Sequence, residues 1–395
     1  MSIPPAWHQQ RRHELDWLRV LAFTLLIAYH IGMAYVADWG WHIKSQHQSE
    51  TLQYAMLWSN QWRMSLLFLI SGAAVSYQLQ KHSGIRVIGT NSRRLLLPLL
   101  FGTLVIVAPQ AYVESKVEGA IGDMSYLTFW RNYLGYPLGF SDPLPPVYLR
   151  LEPTQVIYNH LWYLLYLFAY IAVLWLLYPL LDSKRARCWG QWLGERTPQW
   201  VIIIAPALVL FSIGELLWKR FPTTFLLLDD WFNNARYFFA FFLGFLLVRS
   251  NSCWGSFAHY RWLTLILALS AYLAIAAYSR GANPFPAPLE FLGESLKGFI
   301  WSANGWLWIA TILGWAQAWL SKPNLKMSEV NRAIFCFYIL HQTVIIVLLY
   351  WLMRFELNMA LEVTALTVLT VVVCILSYLL VRRIPGFRVL LGVNR

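Results

Sequence analysis

The chain has 395 residues, 58% of them hydrophobic and only 13% charged, with a formal net charge of +12. So few charges cannot coat a soluble enzyme of this length, and so apolar a chain is neither disordered nor a collagen-like fibre. A basic excess ordinarily points to nucleic acid or anionic lipid, and its distribution along the chain decides between them.

Apolar segments run at Trp17–Ala37, Tyr54–Tyr77, Leu95–Tyr112, Val156–Tyr178, Trp200–Trp218, Asn234–Val248, Trp262–Tyr278, Phe299–Leu320, Ile334–Leu352 and Leu361–Val381. Most reach the roughly 20 residues that cross a hydrocarbon core. The expected fold is therefore all-α: a polytopic integral membrane protein of about ten transmembrane helices, forming a single domain over residues 1–395. The first apolar stretch is longer than a signal-peptide core and no clean cleavage site follows it, so it reads as a retained span.

Lys and Arg concentrate on one side of the alternating loops. Arg11, Arg12, the stretch from Lys81 to Arg94, the stretch from Lys184 to Arg196, Lys322, Lys326, Arg382 and Arg383 share the side of the N-terminus. The opposite loops hold fewer, among them Lys44, Lys116, Arg131, Arg150 and Arg354. This bias predicts N-in and C-in, in a multi-pass protein of a bacterial inner membrane. The basic excess is then an orientation signal facing membrane lipids, and no nucleic acid is expected as a partner.

The longest connection, 113–155, is expected outside. It carries Pro137, Pro143, Pro145, Pro146 and Pro153, with a short interfacial helix predicted over Met124–Tyr136. Such a loop either borders a site or merely connects. Cys188, Cys253, Cys336 and Cys374 avoid the outside loops, so no disulfide framework is expected. No CxxC, HExxH or Gly-rich phosphate loop occurs, and neither a metal nor a bound cofactor is predicted.

Polar groups inside spans are costly and mark functional candidates. Arg19 and His30 lie on the first span at a spacing of eleven, about 20° from a common helix face and about 16 Å apart along the axis. Asp16, one turn before Arg19, reaches the same face. Taken singly, Arg19 reads as an interfacial anchor and His30 as a packing histidine; the shared face favours a joint functional role. Arg63 falls in the outer half of the second span, His160 and Trp162 at the outer end of the fourth, and His341 near mid-membrane in the ninth. With His30 they are expected to line one cavity. Arg63 suits an anionic group, an oxyanion or an ion pair; Trp162 an interfacial anchor or a sugar platform; His341 a helix-packing bond. Ser71–Gly72 reads as close helix packing rather than a nucleophile. Arg93 and Arg94, at the inner mouth of the third span, suit anionic lipid or a phosphate.

Several short motifs occur in order. Leu15-Asp16-Trp17-Leu18-Arg19, ten residues and His30 resemble the Arg-x10-His signature of the acyltransferase family 3 membrane enzymes. Phe68-Leu69-Ile70-Ser71-Gly72, Arg93-Arg94-Leu95-Leu96-Leu97-Pro98, His160-Leu161-Trp162-Tyr163-Leu164 and Tyr338-Ile339-Leu340-His341 resemble further elements of that family. Trp62-Arg63-Met64 looks closest to the glucan biosynthesis protein C subgroup. The adjacent basic pair and Tyr163 in place of Phe depart from the commoner pattern.

The resemblance implies an O-acyltransferase. It would move an acetyl or succinyl group from cytoplasmic acyl-CoA, a co-substrate, to a hydroxyl of an extracytoplasmic carbohydrate. Arg93, Arg94 and Arg19 would then meet the donor phosphates. His30 would either deprotonate the acceptor hydroxyl or carry the acyl group as a covalent relay. A transporter or flippase for a glycan or small metabolite is the alternative; the lack of a half-chain repeat and the scarcity of intramembrane carboxylates weigh against it.

Overall fold

The computed structural model describes residues 12–135, 158–281 and 290–393. Residues 136–157, with the second half of the expected outside loop and all its named prolines, lie outside the described residues, as do Arg11 and Arg150. In chain order the helices are α1 His13–Met33, α2 Leu52–Asn60, α3 Arg63–Lys81, α4 Gly84–Phe101, α5 Ala108–Val117 and α6 Tyr126–Gly135. After the undescribed stretch come α7 Trp162–Leu181, α8 Lys184–Arg196, α9 Val201–Leu217, α10 Trp231–Leu247, α11 Asn251–His259 and α12 Arg261–Ser279. The chain closes with α13 Glu290–Trp319, α14 Leu325–Leu352, α15 Met359–Val381 and α16 Pro385–Leu390. Among the described residues there is no strand, only an isolated bridge between Val36 and Ser49.

Each expected apolar segment falls on helix, with shifted ends. Among the described residues, six helical segments are long and apolar enough to cross a membrane: His13–Met33, Gly84–Val117, Asn159–Leu181, Arg261–Ser279, Glu329–Phe355 and Met359–Val381. A seventh arises if α10 and α11, bent by 109° at their junction, count as one span. The chain is thus an all-helical, multi-pass membrane protein with six or seven candidate spans. The expected helix over Tyr54–Tyr77 is broken at Gln61–Trp62, so Arg63 opens α3 instead of sitting inside a continuous span. The break has a polar cause. The Gln61 carbonyl accepts from the Arg236 guanidinium at 2.6 Å, and its side chain accepts from the Asn304 amide.

The chain divides into two compact units. The first comprises Met1–Ala22, Leu57–Asn91 and Tyr166–Ser328. Within it α3 and α10 press together through reciprocal glycines. A Cβ at Gly72 would overlap the Phe241 carbonyl, and one at Gly244 would overlap the Leu69 carbonyl. Small residues let backbones approach where lipid offers no hydrophobic drive. Phe68 stacks on Tyr237 across the same interface, with ring centroids 5.1 Å apart. Asp230, fully buried before α10, accepts from the Tyr166 hydroxyl at 2.8 Å and from the Asn233 amide at 3.0 Å.

The second unit comprises Phe23–Met56, Ser92–Leu165 and Glu329–Arg395. Its core joins Ile31, Ala34 and Tyr35 at the end of α1 to Ile345, Ile346 and Leu349 of α14 and Leu366 of α15. The Lys44 ammonium closes the end of α1 by donating to the carbonyls of Met33, Val36 and Trp39. Such donors satisfy the carbonyls that a helix C-terminus leaves unpaired. Ser45 donates to the buried Glu362 carboxylate at 2.7 Å, tying the 34–51 segment to α15.

Between α4 and α5 the backbone widens into a π-turn over Gly102–Ile106. Pro109 brings no N–H, so one carbonyl of the preceding turn loses its backbone donor. Side chains donate to three carbonyls of this stretch. Tyr133 donates to the Thr103 carbonyl at 3.0 Å, Trp130 Nε1 to Leu104 at 2.8 Å, and Thr343 to Ile106 at 2.6 Å. The predicted helix over Met124–Tyr136 exists as α6, and its Trp130 and Tyr133 hold it on this turn.

Candidate active site

Three histidines that the sequence singles out meet in the second unit. His30 occupies the last turn of α1, His341 lies on α14, and His160 precedes α7 in a short 3-10 turn. That turn opens at Asn159, which adopts a left-handed conformation (φ 46°) that Asn tolerates better than most residues. Two motifs also bond to each other. His160 Nε2 donates to the Ile339 carbonyl at 3.1 Å, and the Tyr338 hydroxyl donates to the His160 carbonyl at 2.7 Å.

The hydrogen bonds assign the tautomers. A backbone carbonyl only accepts, so His341 Nδ1, 2.7 Å from the Tyr338 carbonyl, carries the proton. His341 Nε2 is then an acceptor, and it takes the Nδ1 proton of His30 at 2.9 Å. With Nδ1 protonated, the lone pair of His30 is on Nε2. The ring centroids of His30 and His341 are 4.9 Å apart, and those of His160 and His341 5.3 Å. His160 and His341 are buried, whereas His30 is half-buried.

A polar chain not foreseen from the sequence continues from here. Thr343 donates to the Ile106 carbonyl and accepts from Gln110 Nε2 at 2.6 Å. Gln110 Oε1 accepts from Gln342 Nε2 at 3.2 Å. Gln342 Nε2 also donates to His42 Nε2 at 2.9 Å, and His42 Nδ1 donates to the Glu114 carboxylate at 2.7 Å. Weaker contact at 3.4 Å links Gln110 Nε2 to His160 Nδ1. Available signals were the i,i+4 spacing of Gln110 and Glu114 and the run of three polar residues from His341 to Thr343 inside an apolar helix.

The remaining candidates are placed as follows. Trp162, at the start of α7, is buried in the second unit. Arg93 and Arg94 sit on α4 in that unit; Arg93 is exposed, and the Arg94 guanidinium lies 5.6 Å from the centre of the Phe335 ring. Asp16, Arg19, Arg63, Ser71 and Gly72 belong to the first unit. Asp16 and Arg19 are half-buried one turn apart on α1, and Arg63 is buried in the first turn of α3.

An imidazole whose Nδ1–H is bonded to a second histidine keeps its lone pair on Nε2, a form able to accept a proton or attack a carbonyl. Residues 12–379 match the model of acyltransferase family 3, described as an acyltransferase domain. The chain belongs to acyltransferase family 3. No curated protein and no solved structure matches it. As a member of this family the chain is a multi-pass membrane acyltransferase. Its motif residues His30, His160, Tyr338 and His341 form one bonded cluster in the second unit.

Proposed function

We propose that this acyltransferase moves an acetyl or succinyl group from cytoplasmic acyl-CoA to a hydroxyl of an extracytoplasmic carbohydrate, a periplasmic glucan by the subgroup resemblance. The proposed setting is a bacterial inner membrane, with ten spans and both termini cytoplasmic. The single observation that carries the reading is the His341-to-His30 bond. It holds the His30 lone pair on Nε2, the form that an acid–base catalyst or an acyl-accepting imidazole needs.

Guanidinium groups match phosphate in a fork geometry, which suits Arg93 and Arg94 to the CoA phosphates. Arg19, on the helix that carries His30, would add a cation toward the cytoplasmic end, with Asp16 orienting it. Arg63 is proposed to meet an anionic group of the acceptor or the developing oxyanion. Trp162 would help shape the acceptor end.

The test supplies purified protein in lipid with labelled acetyl-CoA or succinyl-CoA and glucan acceptors. Wild type should label the acceptor, His30→Ala should not, and Arg19→Ala should require more donor. Normal transfer by His30→Ala, or none by a well-folded wild type with any donor, would defeat the reading.

A further inference from the structure

The helix break at Gln61–Trp62 borders a cavity that lies wholly within the first unit, between the start of α3 and the helices α10 and α13. Gln61, Ser65, Arg236, Trp301 and Ser302 line it, with Gly305 in its wall. A Cβ at Gly305 would come within 3.1 Å of the Gln61 carbonyl oxygen, so the absent side chain lets α13 close on the break.

The lining is rich in hydrogen-bond donors. Arg236 commits one N–H to the Gln61 carbonyl at 2.6 Å, and its guanidinium lies over the Tyr237 ring, 5.3 Å from the centroid. Among the described residues no carboxylate lines the cavity, and Asp230, which precedes α10, is bonded to Tyr166 and Asn233 instead. Gln61 is only 4% exposed. Its Oε1 accepts from the Asn304 amide, while its Nε2 has no acceptor among the described residues. A buried N–H left without an acceptor is costly, and such a group marks a place where a further acceptor belongs. Ser65 and Ser302 bring two hydroxyls. α3 begins here without a side-chain cap, so its first-turn N–H groups and its dipole also favour negative charge.

A guanidinium, a spare amide N–H and two hydroxyls, with no acidic side chain among them, select an oxygen anion. Size narrows the class. The cavity's volume of about 40 Å³ is roughly three times the roughly 10–15 Å³ that admits one water. That room matches the planar carboxylate group and falls short of a phosphate or a sugar ring. We propose that this cavity binds a carboxylate, with Arg236 as its counter-ion and the Gln61 amide as a second donor. The carboxylate is the free end of a dicarboxylic acyl group or a substituent on a glycan. The site stands on the first unit alone and does not depend on the chain's transfer activity.

Purified protein in lipid would be dialysed to equilibrium against labelled succinate in the millimolar range. Acetate, succinamide and inorganic phosphate would serve as competitors. Arg236→Gln removes the cation. Ser302→Val fills part of the cavity and leaves the Arg236–Gln61 bond in place. Wild type should bind succinate saturably, acetate should displace it, and succinamide and phosphate should not. Each variant should bind at least about tenfold more weakly, the loss expected for a charge-assisted hydrogen bond. Ser302→Val should melt within a few degrees of wild type, so it decides the matter if Arg236→Gln fails to fold. Two further competitions separate the sources. Succinyl-CoA that displaces the label better than acetyl-CoA puts the carboxylate on the acyl group, and succinylated glucan that displaces it better than plain glucan puts it on the glycan. Absence of saturable binding by folded wild type overturns the proposal. So does wild-type affinity in Ser302→Val, and so does displacement by succinamide or phosphate as effective as that by acetate.

Discussion

His341 accepts the Nδ1 proton of His30 because its own Nδ1 proton is committed to the Tyr338 carbonyl. A residue of α14 thereby sets the protonation form of a residue on α1. His341 acts through His30, so it is a positioning residue and its loss should be felt in turnover more than in binding. Replacing His341 with Leu should lower kcat about tenfold to hundredfold and move the KM for the proposed acyl-CoA donor by less than about twofold. Gln keeps an acceptor near the same place and should recover part of kcat. Steady-state kinetics of the two variants check this; equal rates in Leu and Gln would remove the positioning role.

The α3–α10 contact gives a second prediction. An added methyl at Gly72 or Gly244 meets a backbone carbonyl, which cannot swing aside as a side chain does. Each Gly→Ala change should cost about 1–3 kcal/mol by overpacking. Gly255, inside α11, has nothing within 4 Å of an added Cβ. The same substitution there should stabilise by about 0.4–1 kcal/mol, since it only narrows the unfolded ensemble. Melting temperatures of the three variants in one detergent should therefore move in opposite directions.

Hydropathy located the helices because each buries or turns to lipid a long apolar run. It misjudged where they begin and end, because helix limits follow hydrogen bonding. α13 starts at Glu290, where its apolar run begins only at Phe299. The break before Arg63 was invisible for a related reason: Trp62 is apolar, and what interrupts the helix is bonding to Arg236 and Asn304, far off in sequence. At the site, His30, His160 and His341 were legible because each sits in a motif within a span. His42 and Gln342 were not, since their bond joins residues 300 positions apart and His42 lies in a connection that carries no periodicity. Arg19 and Arg63 were legible only as candidates, because spacing fixes a helix face and not what that face meets.

The π-turn gives a third prediction. Trp130 and Tyr133 of α6 supply donors to the Leu104 and Thr103 carbonyls in the widened turn. Tyr133→Phe removes one donor and keeps the ring, and should cost about 1 kcal/mol. Trp130→Phe removes the indole N–H with some volume and should cost somewhat more. The loss should be local. Hydrogen exchange should quicken in 102–108 and 126–135 and stay unchanged over α12.

The fourth prediction concerns pH. Asp230 is buried ahead of α10, and burial pushes its carboxyl above the ordinary carboxylate range, against the opposing bonds from Tyr166 and Asn233. A carboxyl raised in the folded state binds its proton more tightly there than in the unfolded chain. Its stabilising contribution is complete below the unfolded pKa and is lost as pH rises through the raised folded pKa. Asp230→Asn fixes a neutral group of nearly the same shape that still accepts from the Tyr166 hydroxyl. The melting temperature of wild type should fall relative to Asp230→Asn as pH rises from the carboxylate range toward neutrality. Parallel curves for the two proteins would show that Asp230 is ionised in the fold and held by its donors instead.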